Sequence, residues 1–476
     1  MSENYPYPQA VFRHFAAISA IPHGSGATAQ LSRYCHDWAK AHDLDVSADE
    51  LGNLCIKKPA SAGYENRPRL ILQGHLDMVC AKDPDCMKDM ENDGLSLIFD
   101  DEYLSADGTT LGGDDGIAVA AALAILESDT IAHPPLTVIL TVDEEIGMLG
   151  AASILLSWLD ADYLLNLDSE EEGVFTVGCA GGVRVHMQVP VSHEMHEGTC
   201  FSISVSGLRG GHSGTEIHRQ LMNANLALLR ALQAIPTPIF LTKFSGGIRD
   251  NVIPTSAAAM FVAQTDFDTV KNAIMRAKSA LQSEYPEESA FDITVENQGE
   301  KTCEAVQNTK QILDYLAQLP NGVMTMIDTL QMPETSLNLG IFDLRDDAFH
   351  VDALVRSCVN TKKTELADRL HQLTVNVGGI TERSGDYPAW EYRPDTLLTR
   401  SALASYRRIF GTEPRVETIH AGLECGVLAA KSDFLTCISF GPDILDIHTP
   451  RERLSIPSTA RFWQLLLDIL ANFPNT

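Results

Sequence analysis

Apolar positions fall into two textures along this chain. In the first, short aliphatic and β-branched runs stop abruptly at polar residues: Arg69-Leu-Ile-Leu-Gln-Gly74, Leu136-Thr-Val-Ile-Leu-Thr-Val142 and Tyr163-Leu-Leu-Asn-Leu167. Runs this short read as strands buried on both faces, as in a parallel sheet. Between them, apolar residues recur at helical spacing over 10–18, 28–42, about 117–128 and about 148–159. Short strands are expected either side of Leu51-Gly52. Strand–helix alternation of this kind predicts α/β architecture with a mostly parallel central sheet flanked by helices.

Around Pro190 the texture changes. Cys200-Phe-Ser-Ile-Ser-Val-Ser206 alternates apolar with polar residues, the mark of a half-exposed strand. Further strands are expected near 239–242, 257–263, 291–295, 336–341 and 350–359, with helices over 217–235, 267–285, 308–319 and 362–374. This is α+β with antiparallel character. After Tyr387-Pro-Ala-Trp390 the first texture returns, two helices (396–410, 458–473) flanking the run 434–440. The pattern therefore predicts one α/β domain, residues 1–190 and 384–476, interrupted by an inserted α+β domain at 191–383.

Composition narrows the classes. A chain of 476 residues with 45% hydrophobic content is long enough for more than one core. The formal net charge of −29 argues against nucleic acid and anionic membrane surfaces as partners. The 10 Cys form no C-x-x-C pair, which suits reduced core residues, with Cys425 the one placed near candidate chemistry. No signal-like start and no long apolar run is present, so the cytoplasm is the expected compartment.

The apolar strands carry the chemistry at their ends. The first breaks into His75-x-Asp77, the second into Asp143-Glu-Glu145 and the third into Asp168 with Glu170, Glu171 and Glu172. Asp114 and Asp115 stand just ahead of an Ala-rich helix, where the helix dipole favours carboxylates. Packed acids repel and are costly to desolvate unless solvated or neutralised by a cation. One such cluster reads equally well as a solvated turn. Four, each at an element's end, point to a metal site at the sheet's carboxyl edge.

These segments resemble the co-catalytic di-zinc exopeptidase family that includes aminoacylases and glutamate-releasing carboxypeptidases. The resemblance rests on His75-x-Asp77, Gly113-Asp114-Asp115, Glu144-Glu145, Asp168 and a late His448 in Asp446-Ile-His-Thr-Pro450. Within the family, Gly178-Cys-Ala-Gly-Gly182, Gly211-His-Ser-Gly-Thr-Glu-Ile-His218 and Ile419-His-Ala-Gly-Leu-Glu-Cys-Gly426 are most similar to the branch that cleaves Xaa-His dipeptides such as carnosine. It implies an inserted lid that also dimerises the chain, a dipeptide substrate, and two zinc ions per subunit, replaceable by cobalt or manganese. By resemblance His75 and Asp168 hold one ion, Glu145 and His448 the other, and Asp114 bridges. Gly116 follows the paired acids directly where many relatives have Lys-Gly, so Asp115 stays open as the bridge; Asp114 holds the first-acid place in the Leu-Gly-x-Asp pattern.

The remaining roles follow from the same source. Glu144 is the expected general base, Asp77 the residue that orients His75, and His212 the oxyanion donor from a partner's lid. Asn251 and Arg356 are expected to bind the substrate's C-terminal carboxylate, with His420, Gly422 and Glu424 lining the cavity. Each has a plainer alternative: His448 in an ordinary turn, His212 serving a glycine turn, Arg356 salt-bridged within the lid, Glu170–Glu172 a solvated run. An N-acyl amino acid hydrolase on the same scaffold, or a binding protein that lost the chemistry, are the competing functions.

Overall fold

Leu70–His75 and Leu136–Thr141 are buried at every position, as strands covered on both faces must be. They belong to a computed structural model that describes residues 5–393, 395–432 and 434–474. Two compact units separate. The first holds residues up to Cys179, Tyr392–Thr418 and those from Leu423 on; the second holds Ala180–Glu391 and Ile419–Gly422. The chain thus enters the second unit at Ala180 rather than at the expected 191, and leaves it after Glu391 rather than 383. Register explains both shifts, because Gly181–Pro190 pairs antiparallel with Ala348–Ser357 on one side and Ile380–Tyr387 on the other.

In the first unit the elements are α1 (Gln9–Ser19), α2 (Ala29–Ala41), β1 (Asp45–Ala48), β2 (Leu54–Lys58), β3 (Leu70–His75), β4 (Leu97–Phe99), β5 (Tyr103–Ala106), α3 (Gly113–Glu127), β6 (Leu136–Thr141), β7 (Tyr163–Asn166) and β8 (Val174–Cys179). The main sheet runs β1-β2-β6-β3-β7, then Thr436–Ser439, β8 and Arg415–Ile419. Its centre, from β6 through β3 and β7 to Thr436–Ser439, is parallel. Its flanks are antiparallel. The β1–β2 flank follows from a tight turn in which Asp49 Oδ1 accepts the N–H groups of Leu51, Gly52 and Asn53 at 2.9–3.0 Å.

Helix α3 is buried along almost its whole length and packs against α1 and β3. Its small residues permit the approach: a Cβ on Gly116 would stand 3.2 Å from the Phe15 ring. Phe12, Phe15, Leu72, Ile125, Val138, Phe440 and Leu466 form part of the core on which this layer closes. The helix expected over 148–159 is only Leu149–Ser153, followed by a 3₁₀ turn at Leu156–Trp158. Met148 is left-handed (φ 57°), and Gly150 lies so close to the Val142 carbonyl that a Cβ would be 2.3 Å from it. That tether to the strand end stops a regular helix from growing.

The second unit is a nine-stranded antiparallel sheet. Its helices are Ala224–Gln233, Phe267–Glu284, Thr309–Leu316 and Asn360–Asn376. Its core includes Phe244, Phe342, Phe349 and Tyr315. The helix expected over 217–235 is interrupted: Gln220 is left-handed (φ 51°), and Asn223 starts afresh by accepting the N–H groups of Asn225 and Leu226. Among the described residues no helix is long and apolar enough to cross a membrane.

Candidate active site

Because β3 and β6 are parallel, with His75 opposite Thr141, the turns that follow them lie side by side at the carboxyl edge of the sheet. Asp77 fastens one turn to the other. Its carboxylate accepts the N–H of Glu144 at 2.9 Å, the N–H of Glu145 at 3.3 Å and the Ser25 hydroxyl at 2.8 Å. The His75 ring was expected to donate to that carboxylate. Nδ1 stands 2.9 Å from Asp77's own carbonyl oxygen and 3.5 Å from its Oδ1. Asp77 thus faces His75 with both its main-chain carbonyl and its carboxylate, and the carboxylate also fastens Glu144–Glu145.

The far ring nitrogen, His75 Nε2, lies 3.1 Å from Asp114 Oδ1 and 3.8 Å from Asp168 Oδ1. The other oxygen of Asp114, Oδ2, is 3.2 Å from His448 Nε2, which is itself 2.8 Å from Glu145 Oε1. One carboxylate thus faces a different imidazole with each oxygen. His75, Asp114 and Glu145 place ligand atoms within 4.8 Å of one another, as do His75, Asp115 and Asp168. One oxygen of Asp115 is already engaged, since its Oδ2 accepts the main-chain N–H of His75 at 3.2 Å. A Cβ at Gly74 would sit 2.5 Å from that oxygen and 2.7 Å from Ala118 Cβ. Gly74→Ala is therefore expected to destabilise the fold by about 1–3 kcal/mol through overpacking, measured by urea denaturation.

The acids are out of electrostatic balance. Burial pushes the Glu144 carboxyl up to about 8, helped by Glu424 and Glu145. Burial, then Asp115, pushes Asp168 well above the usual carboxylate range. Glu170, expected in a solvated run, is raised to about 7 by burial and then by Asp114. Its neighbours Glu171 and Glu172 pair with Arg415 and Arg461. Hydrogen bonds donated by its ring to Asp114 and Glu145 lift His448 to about 10. Burial opposes the same effect at His75, but Asp114 and Asp77 still hold its imidazolium well above the ordinary value. Among the described residues no Lys or Arg pairs with Asp114, Glu144, Glu145 or Asp168. Two imidazoles and three carboxylates with no fixed cation make a donor set that fits divalent metal ions.

Glu424, expected to line a cavity, is instead fully buried beneath this cluster. Its Oε2 accepts the Thr141 hydroxyl at 2.6 Å and the Gln73 amide, and Gln73 Oε1 accepts Asn166 Nδ2 at 2.6 Å. Cys425 is likewise fully buried, in the helix Glu424–Ala430.

The other candidates gather in the second unit. His212 Nδ1 accepts the main-chain N–H groups of Gly214 at 3.3 Å and Thr215 at 3.2 Å, which leaves the proton of the neutral ring on Nε2. Burial, then Arg356, keeps that ring neutral by lowering its pKa. The Asn251 carbonyl accepts the N–H of Ser213 at 2.9 Å, and Asn251 directly precedes Val252–Ile253, the strand that pairs with Gly211–His212. Gly214 presses on the His420 carbonyl, where a Cβ would be 2.5 Å away. His420 Nε2 meets Ser336 Oγ at 2.7 Å, and Ser336 pairs across the sheet with Arg356. Burial, then Arg356, pushes the His420 ring down to about 3. Arg356 is buried, donates to the Tyr387 hydroxyl at 2.8 Å, and among the described residues has no carboxylate partner. Gly422 is half-buried in the same unit.

The model of peptidase family M20/M25/M40 matches residues 71–472. The chain belongs to that family. This M20-family chain is 37% identical to the cytosol non-specific dipeptidase of Escherichia coli over 98% of each chain. The crystal structure of aminoacylhistidine dipeptidase from Vibrio alginolyticus superposes with a TM-score of 0.92 at 34% identity, covering 99% of this chain and 98% of that one. Aminopeptidase PepT from Bacillus cereus shares the fold, with a TM-score of 0.57 at 15% identity.

Sequence reasoning missed Ser25, Gln73, Thr141, Glu170 and Glu452 in this M20 peptidase. Only Glu452 had a local signal, the paired glycines of Leu111-Gly112-Gly113 ahead of Asp114, a backbone able to turn successive N–H groups toward one acceptor.

Proposed function

We propose that this chain is a metal-dependent dipeptidase whose preferred substrates are Xaa-His dipeptides such as carnosine. The observation that carries the reading is the sharing of Asp114 between His75 and His448, with Glu145 and Asp168 alongside. The E. coli relative's name supports the dipeptide, and the name of the Vibrio enzyme supports the histidine. His75 and Asp168 would hold one divalent ion, Glu145 and His448 the other, and Asp114 both. Zinc is the proposed ion, with cobalt or manganese as substitutes. When bound, the pair supplies Lewis acidity that activates water and polarises the scissile carbonyl.

The chain's own residues do the rest. Glu144 takes a proton from water on its carboxylate and delivers it to the leaving amine nitrogen. Asp77 holds Glu144 in place through the main-chain N–H. His212 donates from Nε2 to the developing oxyanion, in a homodimer whose second unit comes from the partner copy. The uncompensated Arg356, with Asn251, receives the substrate's C-terminal carboxylate, and His420 and Gly422 line that end. The compartment proposed is the cytosol, as for the E. coli relative.

Purified protein should cleave carnosine and other Xaa-His dipeptides, lose that activity to a chelator, and regain it with zinc. Cleavage confined to N-acetyl amino acids would replace this reading with the deacylase. His212→Ala should lower kcat by about 10²–10³-fold. Mixing it with Glu144→Gln should restore part of the activity if His212 acts across a dimer; no recovery on mixing would place its action within one subunit.

A further inference from the structure

The loop Leu111–Asp114 curls around one side chain from far along the chain. Glu452 Oε2 accepts the N–H of Leu111 at 2.9 Å and of Gly112 at 3.1 Å. Its Oε1 accepts the N–H of Gly113 at 2.7 Å and of Asp114 at 3.4 Å. Consecutive main-chain amides arranged this way form a concavity suited to an anion. Here the anion is built in, only 3% exposed.

The glycines let it enter. Gly112 is left-handed (φ 66°), and a Cβ there would also meet Met78 Sδ at 2.8 Å. A Cβ on Gly113 would stand 3.2 Å from Glu452 Oε1 and 3.3 Å from Ile444 Cγ2. At the other end Glu452 belongs to the His448 turn, its N–H donating to the Thr449 carbonyl at 3.0 Å. One short turn therefore carries both His448, which faces Asp114 Oδ2, and the anchor that holds the main chain of Asp114.

We propose that Glu452 is a positioning residue that locks the shared carboxylate of Asp114 against His448 and so sets the geometry in which two ions are held together. The inference rests on the dinuclear reading above. Four hydrogen bonds to one charged acceptor resist rotation of Asp114 about its backbone, and no other side chain accepts from these four amides among the described residues. Glutamine at 452 would turn an NH₂ donor toward N–H groups, so the loop would lose acceptors while keeping the side chain's volume.

The test uses the full-length protein, freed of metal and titrated with Co²⁺, followed by visible absorption and calorimetry. Wild type should bind two ions per chain; fewer than two would defeat the dinuclear reading itself. Given two, Glu452→Gln should weaken at least the looser ion by about 10–100-fold and alter the cobalt spectrum. kcat should fall with little change in KM, and Glu452→Asp should recover part of the affinity. A merely structural anchor would lower Tm and leave affinities and spectrum at wild-type values, and that result overturns the proposal. Should Glu452→Gln fail to fold, Gly113→Ala decides, since its Cβ crowds the same oxygen. A smaller loss of Co²⁺ affinity supports the proposal, and an unchanged affinity overturns it.

Discussion

Glu144→Gln is expected to lower kcat for dipeptide hydrolysis by about 10²–10⁴-fold, the range for removing a positioned general base. Metal content should stay at the wild-type level, because Glu145 and not Glu144 stands beside His448. KM should change little, since the residues proposed to receive the substrate's C-terminal carboxylate are Arg356 and Asn251. The amide of glutamine keeps the shape of the side chain and can neither accept nor return the proton. Loss of bound metal in the variant would show instead that Glu144 serves as a ligand. Retained activity would remove it from the proton path.

Stripping the metal is expected to produce a protein whose stability falls as pH rises from about 5 to 9. Folded Glu424 holds its proton up to about 7, whereas the unfolded chain releases it near 4.5. The folded state therefore binds more protons in that window, and stability drops as pH climbs through it. Glu424 alone accounts for about 3 kcal/mol, at 1.36 kcal/mol per pK unit. Glu170 and Glu144 act in the same direction, up to about 7 and about 8. So does His448, whose stabilising charge is fully present below 6.5 and lost as pH rises through about 10. Two groups oppose them below about 6.5: Asp114, whose lowered pKa contributes stability that disappears in acid, and His420, whose buried neutral ring gains stability as pH rises from about 3 to 6.5, so the net fall is steepest above 6.5. Bound cations should flatten the slope, so loaded and stripped protein should separate further at pH 8 than at pH 5. Thermal denaturation of both forms across that range, at constant ionic strength, measures this. A stripped protein equally stable at both ends would sink the account.

What could be read in the sequence was whatever local pattern controls. Leu70–His75 and Leu136–Thr141 are apolar because both faces are covered, so their runs announced buried strands and the polar residues after them announced the sheet edge. The interruption of the α/β pattern was visible because half-exposed strands alternate and buried ones do not. The misreadings arose where a distant group overrode the local one. Residues 148–159 have helical spacing, yet Gly150 is drawn onto Val142 and the helix stops. Glu170 looks like its solvated neighbours, and only the folded chain buries it and brings Asp114 close enough to set it apart. Glu424 was expected to line the cavity beside Gly422, while its partners Gln73 and Thr141, which bury it, come from two other strands. Gln220 offered no sign that it would turn left-handed, though Asn223 was a readable start for the helix after it.

The strand Thr436–Ser439 lies between β7 and β8, and His448 follows it within the last segment of the chain. During vectorial synthesis the ribosome therefore exposes His75, Asp114, Glu145 and Asp168 long before their last companion. Asp168 waits for roughly 280 residues, about 15–60 s at ordinary elongation rates. Throughout that interval the nascent sheet has an open slot where the missing strand belongs, and the acids sit beside it unsatisfied. On the dinuclear reading proposed above, capture of both ions would wait for insertion of the final strand. A chain released early, without that strand, emerges as a partial chelator with an unpaired sheet edge.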